Sequence, residues 1–103
     1  MFALAVRFDL RLGAEADFDR LVKATSARIR EEEPGTLLYL CHRVREEPSA
    51  RVFYELYRDQ AAFRSHEVQP HIRAFLAERE RYVTGPPRVE FLDPDDGKGW
   101  PPD

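Results

Sequence analysis

The sequence predicts one α+β domain in which helices cover one face of a four-stranded antiparallel sheet. Three observations predict it. The chain has 103 residues, which suits a single domain with one modest core. Its apolar content of 43% excludes a disordered chain. Segments with an apolar period of two alternate with amphipathic segments, in the order strand, helix, strand, strand, broken helix, strand.

The first two elements are a strand and a helix. Residues 2–10 alternate between apolar and other side chains, which predicts a strand. Residues 14–32 carry apolar side chains at three- and four-residue spacing, which predicts an amphipathic helix. Pro34 and Gly35 end it, because proline disfavours a helical residue before it and glycine permits the turn. The acidic run at 31–33 is interpreted as a solvated helix end.

The next two elements are predicted to form a hairpin. Residues 36–44 are rich in Leu, Tyr and Val, which favours a second strand. Residues 46–49, Glu-Glu-Pro-Ser, are typical of a turn, and residues 51–57 form a third strand. The short connection indicates antiparallel pairing.

The second helical region is predicted to be broken. Asp59 is expected to cap a helix that contains Ala62, Phe63 and His66. Pro70 interrupts the region, and a new helix is expected to run to Tyr82. Four residues of this helix are expected to face inward: Ile72, Phe75, Leu76 and Tyr82.

Residues 88–92 form the predicted fourth strand, which completes a ferredoxin-like βαββαβ order. The domain is therefore expected to span residues 1–92. Residues 93–103, rich in Pro and Asp, are expected to form a flexible tail. Trp100 in this tail is expected either to dock on the body or a partner subunit, or to hang free.

Both faces of the predicted sheet are apolar, although the helices cover only one. Leu38 and Leu40 lie on one face of the second strand, and Tyr39 and Cys41 lie on the other. Large exposed apolar patches are rare on monomers, so a second copy of the chain is expected to cover the open face in a two-fold homodimer. The alternative is that long Arg and Glu side chains shield it.

The charge of the chain limits which partners are expected, and its N-terminus and cysteine content predict its compartment. The net charge is −3 and the basic residues are not clustered, so neither nucleic acid nor a membrane surface is an expected partner. The N-terminal stretch is interrupted by charges and predicts neither a signal peptide nor a spanning helix. The single cysteine, Cys41, lies in an apolar run and is interpreted as a small hydrophobe. The expected compartment is the cytoplasm.

Glu55 is the most informative polar residue. It lies between Phe53 and Tyr57 on one strand face, where a charge is costly unless it is paired or faces a wet cavity. Apolar surroundings would raise its pKa and suit it to act as a general base. The alternative is a structural ion pair with His66 or an arginine. His66 is the second catalytic candidate, as an acid or base oriented by Glu55.

Further candidates are expected to contact a ligand. Tyr39 and Tyr57 have hydroxyls suited to a phenol or quinone, although aromatic strand residues are more often plain core. His71 follows the helix break at Pro70, and Phe63 lies on the helix before it. No metal site is expected, because His66 and His71 are five residues apart across a proline and so do not share a helical face.

Three segments together resemble the antibiotic biosynthesis monooxygenase-like domains. They are Glu-Pro-Gly-Thr-Leu-Leu-Tyr at 33–39, Phe-Tyr-Glu-Leu-Tyr-Arg-Asp at 53–59, and Ala-Phe-Arg-Ser-His at 62–66 followed by Pro70 and His71. The resemblance implies a dimeric α+β barrel, a homodimer with a pocket between sheet and helices. It also implies a small aromatic or hydrophobic ligand.

The family's chemistry is mixed, and the implied function follows only part of it. Several members oxidise aromatic polyketides or quinols with molecular oxygen and no metal or flavin, which implies a cofactor-independent monooxygenase. The alternatives are a non-catalytic dimer that binds a hydrophobic metabolite, and an isomerase or lyase on the same scaffold. Haem-degrading members use an Asn on the first strand and a Trp in the third-strand region. This chain has Arg7 and Tyr57 in those regions, so haem is not expected.

Overall fold

A computed structural model describes residues 1–99, so the expectation for Trp100 lies outside the described residues. The elements are β1 (Phe2–Asp9), α1 (Glu15–Glu32), β2 (Thr36–Val44), β3 (Glu47–Tyr57), α2 (Gln60–Glu67), α3 (Pro70–Glu78), a 3-10 turn (Arg79–Arg81) and β4 (Arg88–Leu92). This order confirms the predicted ferredoxin-like α+β fold. No helix within residues 1–99 is long and apolar enough to cross a membrane.

The four strands form one antiparallel sheet in the order β2-β3-β1-β4. Residues that lie directly opposite each other on paired strands share a face of the sheet. Tyr39 pairs with Glu55, Glu55 with Leu4, and Leu4 with Phe91. These four side chains therefore form a row across all the strands, and this row is the floor of the site described below.

An aromatic cluster fixes α1 and α3 on the sheet. Phe8 of β1, Phe53 of β3, Phe18 of α1 and Phe75 of α3 lie with all their ring centroids between 5.4 and 6.5 Å apart. All four residues are buried. Aromatic rings favour such tilted and edge-to-face contacts, which add to the free energy gained from burying their area.

The hairpin between β2 and β3 is tighter than predicted. The prediction placed the turn at 46–49, whereas β3 begins at Glu47 and the turn consists of Arg45 and Glu46, the latter with a φ of 66°. Pro48 signals a turn because proline has no N–H to donate within a sheet. An irregularity in the pairing beside Val44 instead accommodates this proline inside the strand.

The broken helix is confirmed, with a correction at its end. The Asp59 carboxylate accepts a hydrogen bond of 2.8 Å from the Ala62 N–H and caps α2. The second segment ends at Glu78 and continues as the 3-10 turn, rather than running as a helix to Tyr82. Leu76, predicted to face inward, is 39% exposed. It lies one position round the helix from buried Phe75, which turns it towards the rim of the cavity.

The face of the sheet opposite the helices has an apolar centre. Leu38 and Tyr54 are half-buried there, and Leu40 is 46% exposed. Polar groups occupy one end, where Arg7 pairs with Glu47 at 3.2 Å. Beyond β4, residues 93–99 form neither helix nor strand and are exposed; the flexibility of this tail stays a prediction.

Candidate functional site

A cavity of about 170 Å³ lies between the helix-facing side of the sheet and the helices α2 and α3. Its floor is the row that contains Tyr39 and Glu55, and most of its walls are aliphatic or aromatic. His66, Glu67 and Arg79 add polar groups. An engineered apolar cavity of about 150 Å³ binds benzene, so this space fits one aromatic ring.

Glu55 presents a carboxyl group at the cavity with little water around it. The residue is 7% exposed, and its Oε1 accepts a hydrogen bond of 2.5 Å from the Tyr57 hydroxyl. Burial raises the pKa of Glu55 to about 7, the Tyr57 hydrogen bond opposes this rise, and the nearby charge of Glu33 adds to it. A carboxyl with this pKa can accept or release a proton at neutral pH, as a general base requires.

His66 lies between two carboxyl groups. Its Nδ1 is 2.6 Å from Oε1 of Glu33, and its Nε2 is 3.9 Å from Oε1 of Glu55, beyond hydrogen-bond distance. Burial lowers the pKa of His66, which favours the neutral ring. A neutral ring that donates from Nδ1 to Glu33 leaves Nε2 as a proton acceptor on the side of Glu55.

Glu33 is the first of two polar residues that the sequence prediction did not include, and its interpretation as a solvated helix end is wrong. The side chain is buried, and its carboxylate accepts a hydrogen bond of 2.7 Å from the Thr36 hydroxyl. His66 and His71 also bond to it, with Nε2 of His71 2.5 Å from Oε2. Glu33 follows the last residue of α1, so the chain turns there and directs it beneath α2 and α3 rather than into solvent.

The predicted ligand residues divide into two groups. Tyr39 and Phe63 line the cavity. Tyr57 is fully buried and does not line it; its hydroxyl holds Glu55, and burial raises its pKa. His71 is likewise outside the lining, because its ring is turned to Glu33. The structure thus brings Glu55, His66, Tyr39 and Phe63 together at the cavity, and places Tyr57 and His71 behind it.

Arg79 is a second polar residue that the sequence prediction did not include. It lies in the 3-10 turn after α3, lines the cavity, and holds its guanidinium carbon 5.2 Å from the centre of the Phe8 ring. Its Nε is buried without a hydrogen-bond partner in the part of the chain that the structure describes, and the Glu80 carboxylate is 3.8 Å from it. Its spacing of four and seven residues from Phe75 and Ile72 is the signal that could have placed it on the inner face.

Within residues 1–99 no group of three or more His, Cys, Asp or Glu side chains is arranged to hold a metal ion. Cys41 is half-buried, and burial raises the pKa of its thiol to about 11. At neutral pH this thiol is therefore protonated and a poor nucleophile.

The sequence model of the family described as antibiotic biosynthesis monooxygenase matches residues 1–78. The chain belongs to this family. Solved structures with the same fold include Rv0793 from Mycobacterium tuberculosis, which is 26% identical, covers 95% of this chain and 98% of its own, and superposes with a TM-score of 0.86.

Two further solved structures agree in fold with this antibiotic biosynthesis monooxygenase family member. A protein from Caulobacter crescentus CB15 is 23% identical over 92% of this chain and 90% of its own, with a TM-score of 0.87. PA3566 from Pseudomonas aeruginosa is 23% identical over 92% and 94%, with a TM-score of 0.82. A search of curated proteins found no match.

The cavity of this family member combines three kinds of functional group in a space that fits one aromatic ring. Glu55 supplies a proton acceptor, Arg79 supplies a cation, and the aromatic walls, which include Phe63, supply an apolar surface. Such a site can bind a flat apolar molecule and remove a proton from it.

Proposed function

We propose that this protein is a cofactor-independent monooxygenase that oxidises a small aromatic or quinol-type substrate with molecular oxygen. The observation that carries the proposal is the buried Glu55 carboxyl, whose pKa is raised to about 7, on the floor of a cavity that fits one aromatic ring. Membership of the antibiotic biosynthesis monooxygenase family supports the same reaction class.

The proposed mechanism begins with proton removal. Glu55 takes the proton of a ring hydroxyl, and His66, whose Nε2 is 3.9 Å from Glu55, is the second acceptor. The resulting anion is rich in electrons and transfers one to oxygen, after which the two radicals combine. One oxygen atom remains on the ring and the other leaves as water, so a quinol becomes a hydroxyquinone and the substrate supplies all the electrons. The protein binds the ring, excludes water and positions the base.

The test is oxygen consumption by the purified protein with a panel of quinols, in the presence of a metal chelator. Glu55→Gln should lower the rate by at least about a hundredfold, as expected for loss of a general base. Glu31→Gln is the matched control, because Glu31 is exposed at the end of α1. Background oxygen uptake with the whole panel, or an undiminished rate in Glu55→Gln, would contradict the proposal.

Two further measurements with the same panel would support the alternatives. Binding of quinols without oxygen uptake would favour a non-catalytic binding protein. Conversion of a substrate in the absence of oxygen would favour an isomerase or lyase on this scaffold.

We also propose that the protein is a homodimer joined through the open face of the sheet. Half-buried Leu38 and Tyr54 lie beside Leu40 on this face, and Leu40 is 46% exposed. Sedimentation should show a dimer at micromolar concentration, and Leu40→Glu should dissociate it. Leu12→Glu is the control, because Leu12 is 93% exposed outside the sheet. A wild-type chain that sediments as a monomer would refute the dimer.

The extent of the domain and the compartment of the protein are also proposals. We propose that the folded domain spans residues 1–92, that residues 93–99 are a flexible extension, and that the protein works in the cytoplasm. The exposure of residues 93–99 supports the first two statements. Limited proteolysis should cleave this extension first and leave the domain intact; prior cleavage inside the sheet would contradict it.

A further inference from the structure

One wall of the cavity carries a guanidinium whose buried Nε has no hydrogen-bond acceptor among residues 1–99. It belongs to Arg79, which reaches the cavity from the 3-10 turn. Its recorded ion-pair partner, Glu80, lies 3.8 Å away and is two-thirds exposed, so the contact is weakened by solvent. A buried N–H without an acceptor is costly, and a ligand with a suitable oxygen would remove that cost.

Glu55 provides a second polar group for a ligand of this cavity. Its carboxyl lies on the floor of the same cavity and interacts electrostatically with Arg79. Glu55 already has the Tyr57 hydroxyl as a partner, and the structure records no hydrogen bond or ion pair from it to Arg79 within residues 1–99. The two charged groups therefore offer two separate polar positions to a ring placed between the apolar walls.

We propose that the ligand of this cavity is a hydroxylated aromatic that carries a second, anionic oxygen such as a ring carboxylate, and that Arg79 binds this oxygen. The ring hydroxyl then faces Glu55, which removes its proton. This inference rests on the proposed function for its site, and adds the substrate class and a specificity-determining residue. Arginine is well suited to the role, because its planar guanidinium donates paired hydrogen bonds to a carboxylate.

The chain provides a matched control for the charge of Arg79. Arg81 lies two residues further along the same turn, is exposed, and pairs with Glu78 at 2.7 Å. Replacing either arginine with glutamine removes one positive charge from the same segment. Only the replacement at Arg79 removes a charge from the cavity wall.

The experiment measures binding of 4-hydroxybenzoate and of its methyl ester, which share the ring and hydroxyl but differ in charge. Calorimetry or NMR titration under anaerobic conditions keeps the readout independent of oxygen chemistry. The wild type and Arg81→Gln should bind the acid about tenfold to a hundredfold more tightly than the ester, the range expected for a hydrogen bond to a charged group. Arg79→Gln should lose this preference, and Arg79→Lys should retain part of it.

Equal affinity of the wild type for the acid and the ester would overturn the inference. This comparison uses only the wild-type protein, so it does not depend on whether the variants fold. An acid preference that survives in Arg79→Gln, or no binding of either probe at millimolar concentration, would also overturn it. This experiment and the oxygen-uptake experiment test different proposals. Oxygen uptake with neutral quinols but no preference for the acid would contradict only the role of Arg79. Preference for the acid without oxygen uptake would contradict only the monooxygenase activity.

Discussion

Replacing Glu33 with alanine tests whether this buried carboxylate holds together the end of α1, the start of β2 and the two short helices. The carboxylate accepts hydrogen bonds from Thr36 at 2.7 Å and contacts ring nitrogens of His66 and His71 at 2.6 and 2.5 Å. These partners lie on β2, α2 and α3 respectively. No other side chain described above connects so many elements.

The expected loss follows from the number and kind of these contacts. A hydrogen bond to a charged group contributes about 1.5–3 kcal/mol, but three bonds to one carboxylate are not additive. Removing the Glu33 carboxylate also leaves buried donors of its partners unsatisfied, at a cost of about 1–3 kcal/mol for each group. We therefore expect Glu33→Ala to lower the free energy of unfolding by about 3–5 kcal/mol, a large part of the roughly 5–15 kcal/mol typical of a domain.

Urea unfolding at pH 7 and one fixed protein concentration measures this loss, since the stability of the proposed dimer would depend on concentration. Glu31→Ala is the control, because Glu31 belongs to the same acidic run and is exposed. Its change should stay within about 0.5 kcal/mol. Equal losses in the two variants would refute the account of Glu33 as a buried anchor.

Three further predictions concern the floor of the cavity and its support. Burial raises the folded-state pKa of Glu55 from 4.5 to about 7. Protonated Glu55 therefore contributes to the free energy of unfolding below pH 4.5, and this contribution is lost as the pH rises through 7. In urea unfolding, Glu55→Gln should therefore match the wild type at pH 4.5 and be about 3 kcal/mol more stable at pH 8; a pH-independent difference would contradict this. In the wild type the hydrogen bond from Tyr57 lowers the pKa of Glu55, so Tyr57→Phe should raise this pKa further, as measured by carboxyl NMR. An unchanged or lower pKa would contradict this. Gly35→Ala should lower the melting temperature, because its Cβ would lie 2.7 Å from that of Ala62, whereas Gly85→Ala has open space; equal shifts would contradict the close contact.

The fold could be predicted from sequence because each element carries its own local signal. The bounds of β2 and β4 agree with the prediction, since both are apolar segments flanked by Gly or Pro. The prediction was wrong where a local signal had two meanings. Pro48 indicates a turn in isolation, but lies inside β3 because the neighbouring pairing is irregular.

The site could be predicted only where a residue contrasts with its immediate neighbours. Glu55 is a charge within an apolar strand, so its environment is apparent from a few residues on either side. Glu33 ends a run of three acidic residues, and its partners His66 and His71 lie 33 and 38 positions away. Arg79 has the right spacing, but an arginine on a helix is more often exposed, and only the packing of α3 shows that it reaches the cavity.

The most direct test of the account is the ionisation of Glu55 itself, followed by carbon-13 NMR of its carboxyl carbon as the pH is raised. We expect a midpoint at about 7, and a further change when a phenolic ligand fills the cavity and gives up its proton. A midpoint close to 4.5, the ordinary value for glutamate, would mean that the carboxyl is well solvated and already ionised. That result would contradict the assignment of Glu55 as a buried base that works at neutral pH.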